Sequence, residues 1–385
     1  MIEVISLHEE EYGSSPTSIG VAPGVINLLG EHTDYSEGYV LQFAIPKYVW
    51  VAISKRSDNG FRFFAANINE RKKSLKGPFK YRKEDRWANY SKGVIAGFND
   101  RGVQVPGLDV TIYSEIPQDI GLGSSDALCV AATLAVQKLL NVELSDADII
   151  SIANGAEKDY MGLPIEVTDV MTSLKAMNGK AIFIDLRSME YSYIPLKLGN
   201  VSLIGTNSHV PPVEVGEYVQ ELIDDCQDGV ALLNKRRPGR TLRDYSESDV
   251  KASLETMPEA IRRLCLHVID ENERVAEGKK YLEKKNYQAF GKLMSQSHES
   301  LRDNYEVSCP EIDWLVKRAI ETEGVYGSRI TGPGFGGCTV TLMKKDALEE
   351  YREKMLEYER IFGFTAEVFE LTAVGGAFEY FTDKR

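Results

Sequence analysis

Residues 126–140, DALCVAATLAVQKLL, are apolar on nearly every face. A helix of that kind reads as a buried element that needs neighbours around it. LDVTIYSEI (108–116) precedes it and reads as a strand, and PQDIGLGSSD joins the two. Strand, Gly/Ser loop, buried helix is an arrangement with chemical meaning. Backbone N–H groups at a helix start aim at phosphate oxygens, and small residues let a ligand come close. Gly121-Leu122-Gly123-Ser124-Ser125 has that form, but no GK[ST] follows it and its spacing is not GxGxxG. Taken alone, the segment fits equally a small-residue turn with Ser as helix cap.

The remainder of the chain supplies layers for such a helix. VLQFAIPKYVWVAIS (40–54) reads as one or two strands and FRFFAAN (61–67) as another. WANYSKGVIAGFNDRG (87–102) has helical spacing and ends at Gly. KAIFIDL and VSLIGTNS (201–208) read as strands, and 215–300 as largely helical. RITGPGFGGCTVTLMK (329–344) reads as strand, glycine loop, strand, and AEVFELTAV (366–374) as a late strand. Strands first, helices in the middle and strands again predict an α+β fold. Four glycines within Gly332-Pro333-Gly334-Phe335-Gly336-Gly337 imply either a sharp hairpin or close approach to a ligand.

Charge and cysteine usage exclude several functions. The 385 residues carry a formal net charge of −13, which disfavours nucleic acid and anionic membranes as partners. The most basic stretch, Lys72 to Lys83, is interrupted by Gly77 and Pro78 and reads as a solvated loop or hairpin. Five scattered cysteines without CxxC spacing indicate neither a zinc site nor a disulfide framework. No signal-peptide core and no apolar run long enough to span a bilayer is present, so a cytoplasmic, reduced setting is expected.

Ala22-Pro23-Gly24-Val25-Ile26-Asn27-Leu28-Leu29-Gly30-Glu31-His32-Thr33-Asp34-Tyr35 closely resembles the galactokinase signature APGRVNLIGEHTDY. Trp87-Ala88-Asn89-Tyr90-Ser91-Lys92-Gly93 is similar to the family's WANYVKG, and 117–127 and 332–338 occupy its second and third motifs. Asn207-Ser208 with Glu217-Tyr218, and Ser297 through Cys309, match further family segments. The resemblance runs from about residue 10 to the C-terminus, and identifies the chain as a divergent member of the galactokinase branch of the GHMP small-molecule kinases.

The resemblance implies a two-lobed GHMP kinase fold, with lobes 1–195 and 196–385 and the active site in the cleft between them. It implies transfer of the γ-phosphoryl of MgATP to the anomeric hydroxyl of galactose or a related hexose. Asp169 occupies the place of the catalytic carboxylate. Glu31, His32 and Asp34 would hold sugar hydroxyls, with Glu166 and Tyr218 beside them. Trp87 and Tyr90 would face the base, and Gly121, Leu122, Gly123, Ser124 and Ser125 would line the phosphates. Ser125 and Glu157 would hold Mg2+. The partners would be sugar and ATP, in a monomer or weak homodimer.

Departures from the family pattern gather around these positions. Val25 replaces an Arg that would neutralise charge and keep Asp169 ionised. Asp119 and Ile120 replace small residues, Gly123 a Ser, and Asp126 a small residue at the helix start. Like charges ~5 Å apart cost roughly 3 kcal/mol at an effective dielectric of about 20, so Asp126 is expected to oppose a triphosphate. Glu166 stands in place of a Gly, and Pro211-Pro212 with Glu214 replace a basic stretch. Three readings follow: a sugar 1-kinase, a kinase for another small molecule such as an amino sugar, or a non-catalytic sugar-binding or regulatory relative.

Overall fold

The computed structural model of the chain describes residues 2–75, 79–118, 120–164, 167–211 and 216–380. Asp119, Ile165, Glu166, Pro212 and Glu214, like Gly77 and Pro78, lie outside the described residues. In chain order the elements begin with α1 (Ile2–Tyr12), β1 (Ser18–Leu29), β2 (Tyr39–Lys55), β3 (Phe61–Ala65), β4 (Glu70–Ser74) and α2 (Ala88–Asp100). Then come β5 (Leu108–Ser114), α3 (Ser124–Leu140), α4 (Asp146–Lys158), α5 (Thr168–Lys175), β6 (Lys180–Asp185) and β7 (Glu190–Pro195). The second half holds β8 (Val201–Asn207), α6 (Gly216–Asn234), α7 (Glu247–Ala252), α8 (Glu259–Glu283), α9 (Tyr287–Asp303) and α10 (Pro310–Ile320). It closes with β9 (Val325–Thr331), β10 (Cys338–Lys344), α11 (Leu348–Phe362), β11 (Glu367–Leu371) and β12 (Phe378–Tyr380).

The strands form two sheets. The first runs β12-β1-β2-β5-β3-β4, with β6 and β7 branching from the opening residues of β2. All its pairings are antiparallel except β3 with β5. The second runs β11-β8-β10-β9, antiparallel throughout. β2 crosses the whole first sheet because its one Pro falls at a bulge. Pro23 pairs with Tyr48 and Gly24 with Ile45, so Pro46 needs no ladder partner for its missing N–H.

The expected buried helix is α3, and its alanines explain how it is buried. A Cβ placed on Gly20 of β1 would lie 1.9 Å from the Ala131 carbonyl oxygen and 2.8 Å from Ala135 N. Backbone therefore meets backbone where β1 crosses α3, and Ser18 Oγ donates to the Ala135 carbonyl at 2.7 Å. β1 is buried along all twelve residues. One apolar core surrounds α3 and continues into β8 and β10 of the second sheet, and a second core lies among α6, α8, α10 and α11.

The chain also ties its end back to its beginning. After β11 it returns to the first sheet, with Val374 N donating to Ala44 O at 2.9 Å, Gly376 N to Ala176 O at 2.8 Å and Ala377 N to Ser173 O at 2.8 Å. β12 then pairs with Ile19–Val21 of β1.

Candidate active site

A cavity of about 1260 Å3 is lined by the turn after β1, the start of α3, the start of α5 and the glycine turn between β9 and β10. Glu31, His32, Asp34, Trp87, Tyr90, Gly121, Leu122, Gly123, Ser124, Ser125 and Asp169 all line it. Residues far apart in sequence are thus brought to one space. Tyr218 is not among the lining residues. It packs edge-on against Phe335, with ring centroids 5.1 Å apart, and Phe335 lines the cavity instead. Glu157 is buried and likewise does not line the cavity.

The turn after β1 is held from below by α8. Glu271 accepts from Gly30 N at 2.8 Å, from Ser297 Oγ at 2.8 Å and from Arg274 Nε at 2.6 Å. Those cationic and amide partners overcome burial and hold its carboxyl down at about 2. His267 is pushed down to about 3 by burial, so its ring is neutral. Its Nε2–H then donates to the Glu31 carbonyl at 3.1 Å, leaving Nδ1 to accept from Ser300 Oγ at 2.9 Å.

Glu31 itself accepts from Gly332 N at 2.8 Å, and the fully buried Arg329 places Nη2 3.3 Å from the same Oε1. Burial pushes the Glu31 carboxyl up, and Arg329 pulls it back. His32 occupies left-handed backbone at φ 60°, donates from Nε2 to the Pro333 carbonyl at 3.2 Å and stacks on Tyr305 at 4.6 Å. Burial lowers its pKa to about 4, so it too is neutral. The pair forms a preset hydrogen-bonding edge, one acceptor and one neutral ring, suited to vicinal hydroxyls.

The two glycine-rich segments touch each other. A Cβ on Gly332 would stand 2.5 Å from Gly121 Cα, and one on Gly121 would stand 2.8 Å from Gly332 Cα. Both residues have positive φ, 86° and 74°. The glycines are therefore required by backbone against backbone, beyond either a hairpin or a ligand alone. Gly123 (φ 61°) follows and caps α3, whose first amides have no acceptor within the helix. Those amides and the dipole of a seventeen-residue helix give this edge of the cavity a positive potential, which suits an anion.

Three carboxylates gather beside that edge. Asp126 is pushed well above its ordinary value by burial and then by Glu157 and Asp169. The shift of Asp126 is toward its neutral form, the direction that lessens the repulsion of a triphosphate expected from its sequence position. Burial raises Glu157 to about 7 against the pull of Ser125 and Cys129, and its Oε1 has no hydrogen-bond partner among the described residues. Asp169 is raised by burial against Gln42 and Thr168. Ser125 and a buried Glu157 oxygen without a partner therefore stand together, oxygen ligands of the kind a hard cation takes, although Glu157 lies behind the cavity wall.

Sequence reasoning passed over Gln42, Arg329 and Glu271. Gln42 carries a visible signal as a polar residue inside an otherwise apolar strand pattern, and Arg329 a weaker one as the charged residue of its strand. Glu271 has none, because α8 is rich in charge and nothing marks which carboxylate turns inward.

Comparison with known proteins agrees with this geometry. Residues 6–55 match the galactokinase galactose-binding signature, 89–176 the GHMP kinases N terminal domain and 279–360 the GHMP kinases C terminal domain. A Treponema pallidum relative is 38% identical over 98% of this chain and 96% of its own length. A galactokinase of Roseiflexus sp. (strain RS-1) is 35% identical over 96% of this chain and 94% of its own. The structure of Lactococcus lactis galactokinase complexed with galactose superposes with a TM-score of 0.91 at 26% identity, covering 98% of this chain and 99% of that one. Methanococcus jannaschii mevalonate kinase shares the fold, with a TM-score of 0.67 at 19% identity. Signature, cavity and relatives converge, and the chain is a member of the galactokinase family of GHMP kinases.

Proposed function

We propose that the cavity holds a hexose, galactose first, beside ATP, and that the protein acts as an ATP-dependent sugar kinase of the galactokinase type. The observation that carries this reading is Asp169 sharing one cavity with Glu31, His32 and Asp34 and with the start of α3. Asp169 takes the proton of the anomeric hydroxyl. The freed oxygen forms a bond to the γ-phosphorus, the bond from phosphorus to the β–γ bridging oxygen breaks, and ADP leaves with that electron pair. Glu31, His32 and Asp34 orient the sugar, and the amides of α3 meet the charge on the phosphoryl oxygens. Trp87 and Tyr90 face the base, with Trp87 fixed by its Nε1 donating to Glu70 at 3.0 Å. Mg2+ held by Ser125 and Glu157 would supply charge neutralisation to the phosphates.

The lobe division at 195/196 is supported by strand pairing, since β1–β7 pair among themselves and β8–β11 among themselves, with β12 crossing back. A cytoplasmic setting and a monomer or weak homodimer belong to the same reading, and the net charge of −13 supports its lack of nucleic-acid and anionic-membrane partners. Among the described residues no helix is long and apolar enough to cross a membrane.

Release of ADP from MgATP in the presence of galactose tests this reading. Turnover is expected with the native chain, and a loss of about 10^2- to 10^4-fold in Asp169→Asn. A native chain that binds galactose in a calorimeter but neither binds nor cleaves ATP would refute it.

A further inference from the structure

Position 25, where the family signature has Arg, holds a buried Val. Val25 and Asp169 flank Gly123: a Cβ on that glycine would lie 3.2 Å from Asp169 Oδ2 and 3.4 Å from Val25 Cβ. The carboxylate that faces this apolar wall is not left without a donor. Gln42 Nε2 donates to Asp169 Oδ1 at 2.6 Å, and Gln42 Oε1 accepts from Thr172 Oγ1 at 2.7 Å.

The amide can serve only one way round. A carboxylate oxygen accepts, so the NH2 group must face Asp169, and Oε1 is then left to take the Thr172 proton. Thr172 lies one turn beyond Asp169 on α5, so the helix that carries the carboxylate also clamps the amide that holds it. Gln42 sits between Asn27 of β1 and Ile182 of β6, and its side chain is buried but reaches the wall of the cavity beside Asp169. A buried amide in the middle of three strands is tolerated only where its hydrogen bonds are made, and here both ends are used.

We propose that Gln42, locked by Thr172, is the positioning residue for Asp169 in this protein, filling with a neutral amide the place that the family signature gives to an Arg at position 25. The inference rests on Asp169 being the group that takes the sugar proton. A neutral donor fixes the direction of the carboxylate and stabilises its ionised form less than a guanidinium does. The Gln42 bond pulls the Asp169 carboxyl down while burial lifts it. Asp126, Glu157 and Glu31 interact with the same carboxyl and are left in place in every variant, so removing the bond is expected to move the Asp169 part of the acid limb upward.

The test compares native chain, Asp169→Asn, Gln42→Ala, Thr172→Val and the double variant Gln42→Ala/Val25→Arg, each checked by circular dichroism. Turnover of galactose with MgATP is followed across pH. Gln42→Ala is expected to lower kcat about 10- to 100-fold, with both KM values changing less than about 3-fold. Thr172→Val, which keeps the shape of the side chain, is expected to lower kcat about 3- to 10-fold by freeing the amide to turn. In both, the acid limb of kcat/KM moves to higher pH, which a purely structural role would not produce. The added Arg in the double variant is expected to recover part of the loss. Native kcat and an unmoved pH profile in Thr172→Val and in folded Gln42→Ala, with Asp169→Asn inactive, would overturn the assignment and leave the kinase reading standing. Turnover retained in Asp169→Asn would remove both.

Discussion

Asp126, Glu157 and Asp169 enter one buried neighbourhood on folding, and burial raises each of them. For Glu157 the value goes from 4.5 to about 7, so between those limits the folded chain holds a proton that the unfolded chain has lost. Stability therefore falls as pH rises through that window, by at most roughly 3 kcal/mol from this one group. Glu157→Gln is expected to flatten the slope and to melt higher than the native chain at neutral pH; melting temperature against pH checks it. None of this was visible in the sequence. Asp126 reads there as a charged acid at a helix start that opposes a triphosphate, because the carboxylates that surround it lie 31 and 43 positions further on. Glu31, His32 and Asp34 were legible, since they stand in a long run of unusual composition. Gln42 stands out as an amide in an apolar strand, but nothing in the sequence says that it reaches Asp169, 127 positions further on.

At the scale of elements, the contact between the two glycine turns joins the α3 start to the β9–β10 hairpin. Gly332→Ala would drive a Cβ to 2.5 Å from Gly121 Cα at a backbone φ of 86°. The expected loss is about 2–4 kcal/mol of stability. Because the same movement shifts the phosphate edge of the cavity and breaks the Gly332 bond to Glu31, KM for ATP should rise by about an order of magnitude. Thermal melts and steady-state kinetics on the purified variant measure both. Elements with clean signals were read well: α2, β5, α3, β8, β9 and β10 appear where hydrophobic pattern and Gly breaks placed them. β1 was not read as a strand, because a segment buried on both faces shows no alternation and this one contains Pro23 and Gly24. The helices α1, α4, α5, α10 and α11 were also passed over; charge is spread through them, and their inward faces are set by tertiary packing.

The whole molecule is closed by the return of the chain after β11. The bonds from Val374, Gly376 and Ala377 reach β2, the end of α5 and Ser173, which itself donates to the Pro23 carbonyl at 2.7 Å. The helix carrying Asp169 is thus braced by a segment about 200 residues away in sequence. A chain ended after Thr372 is expected to lose about 10^2-fold in kcat, the scale of a misplacement near 1 Å. Hydrogen exchange in 168–175 should quicken while that of β8 and β10 stays slow, which mass spectrometry resolves. The α+β class was legible from the order of strands and helices, whereas the crossing of β12 into the first sheet was not, since three residues carry no periodicity.

That crossing also bears on how the protein avoids sticking to itself. β1 is apolar and buried over its full length, and β12 occupies part of the side of β1 that faces away from β2. A chain interrupted anywhere before Phe378 would present Ile19–Val21 as an open strand edge, the kind of edge on which another chain adds a strand. The three residues of β12 act as a seal on that side of the sheet, so proteolysis or premature termination near this end is expected to open an edge on which one chain can add to another.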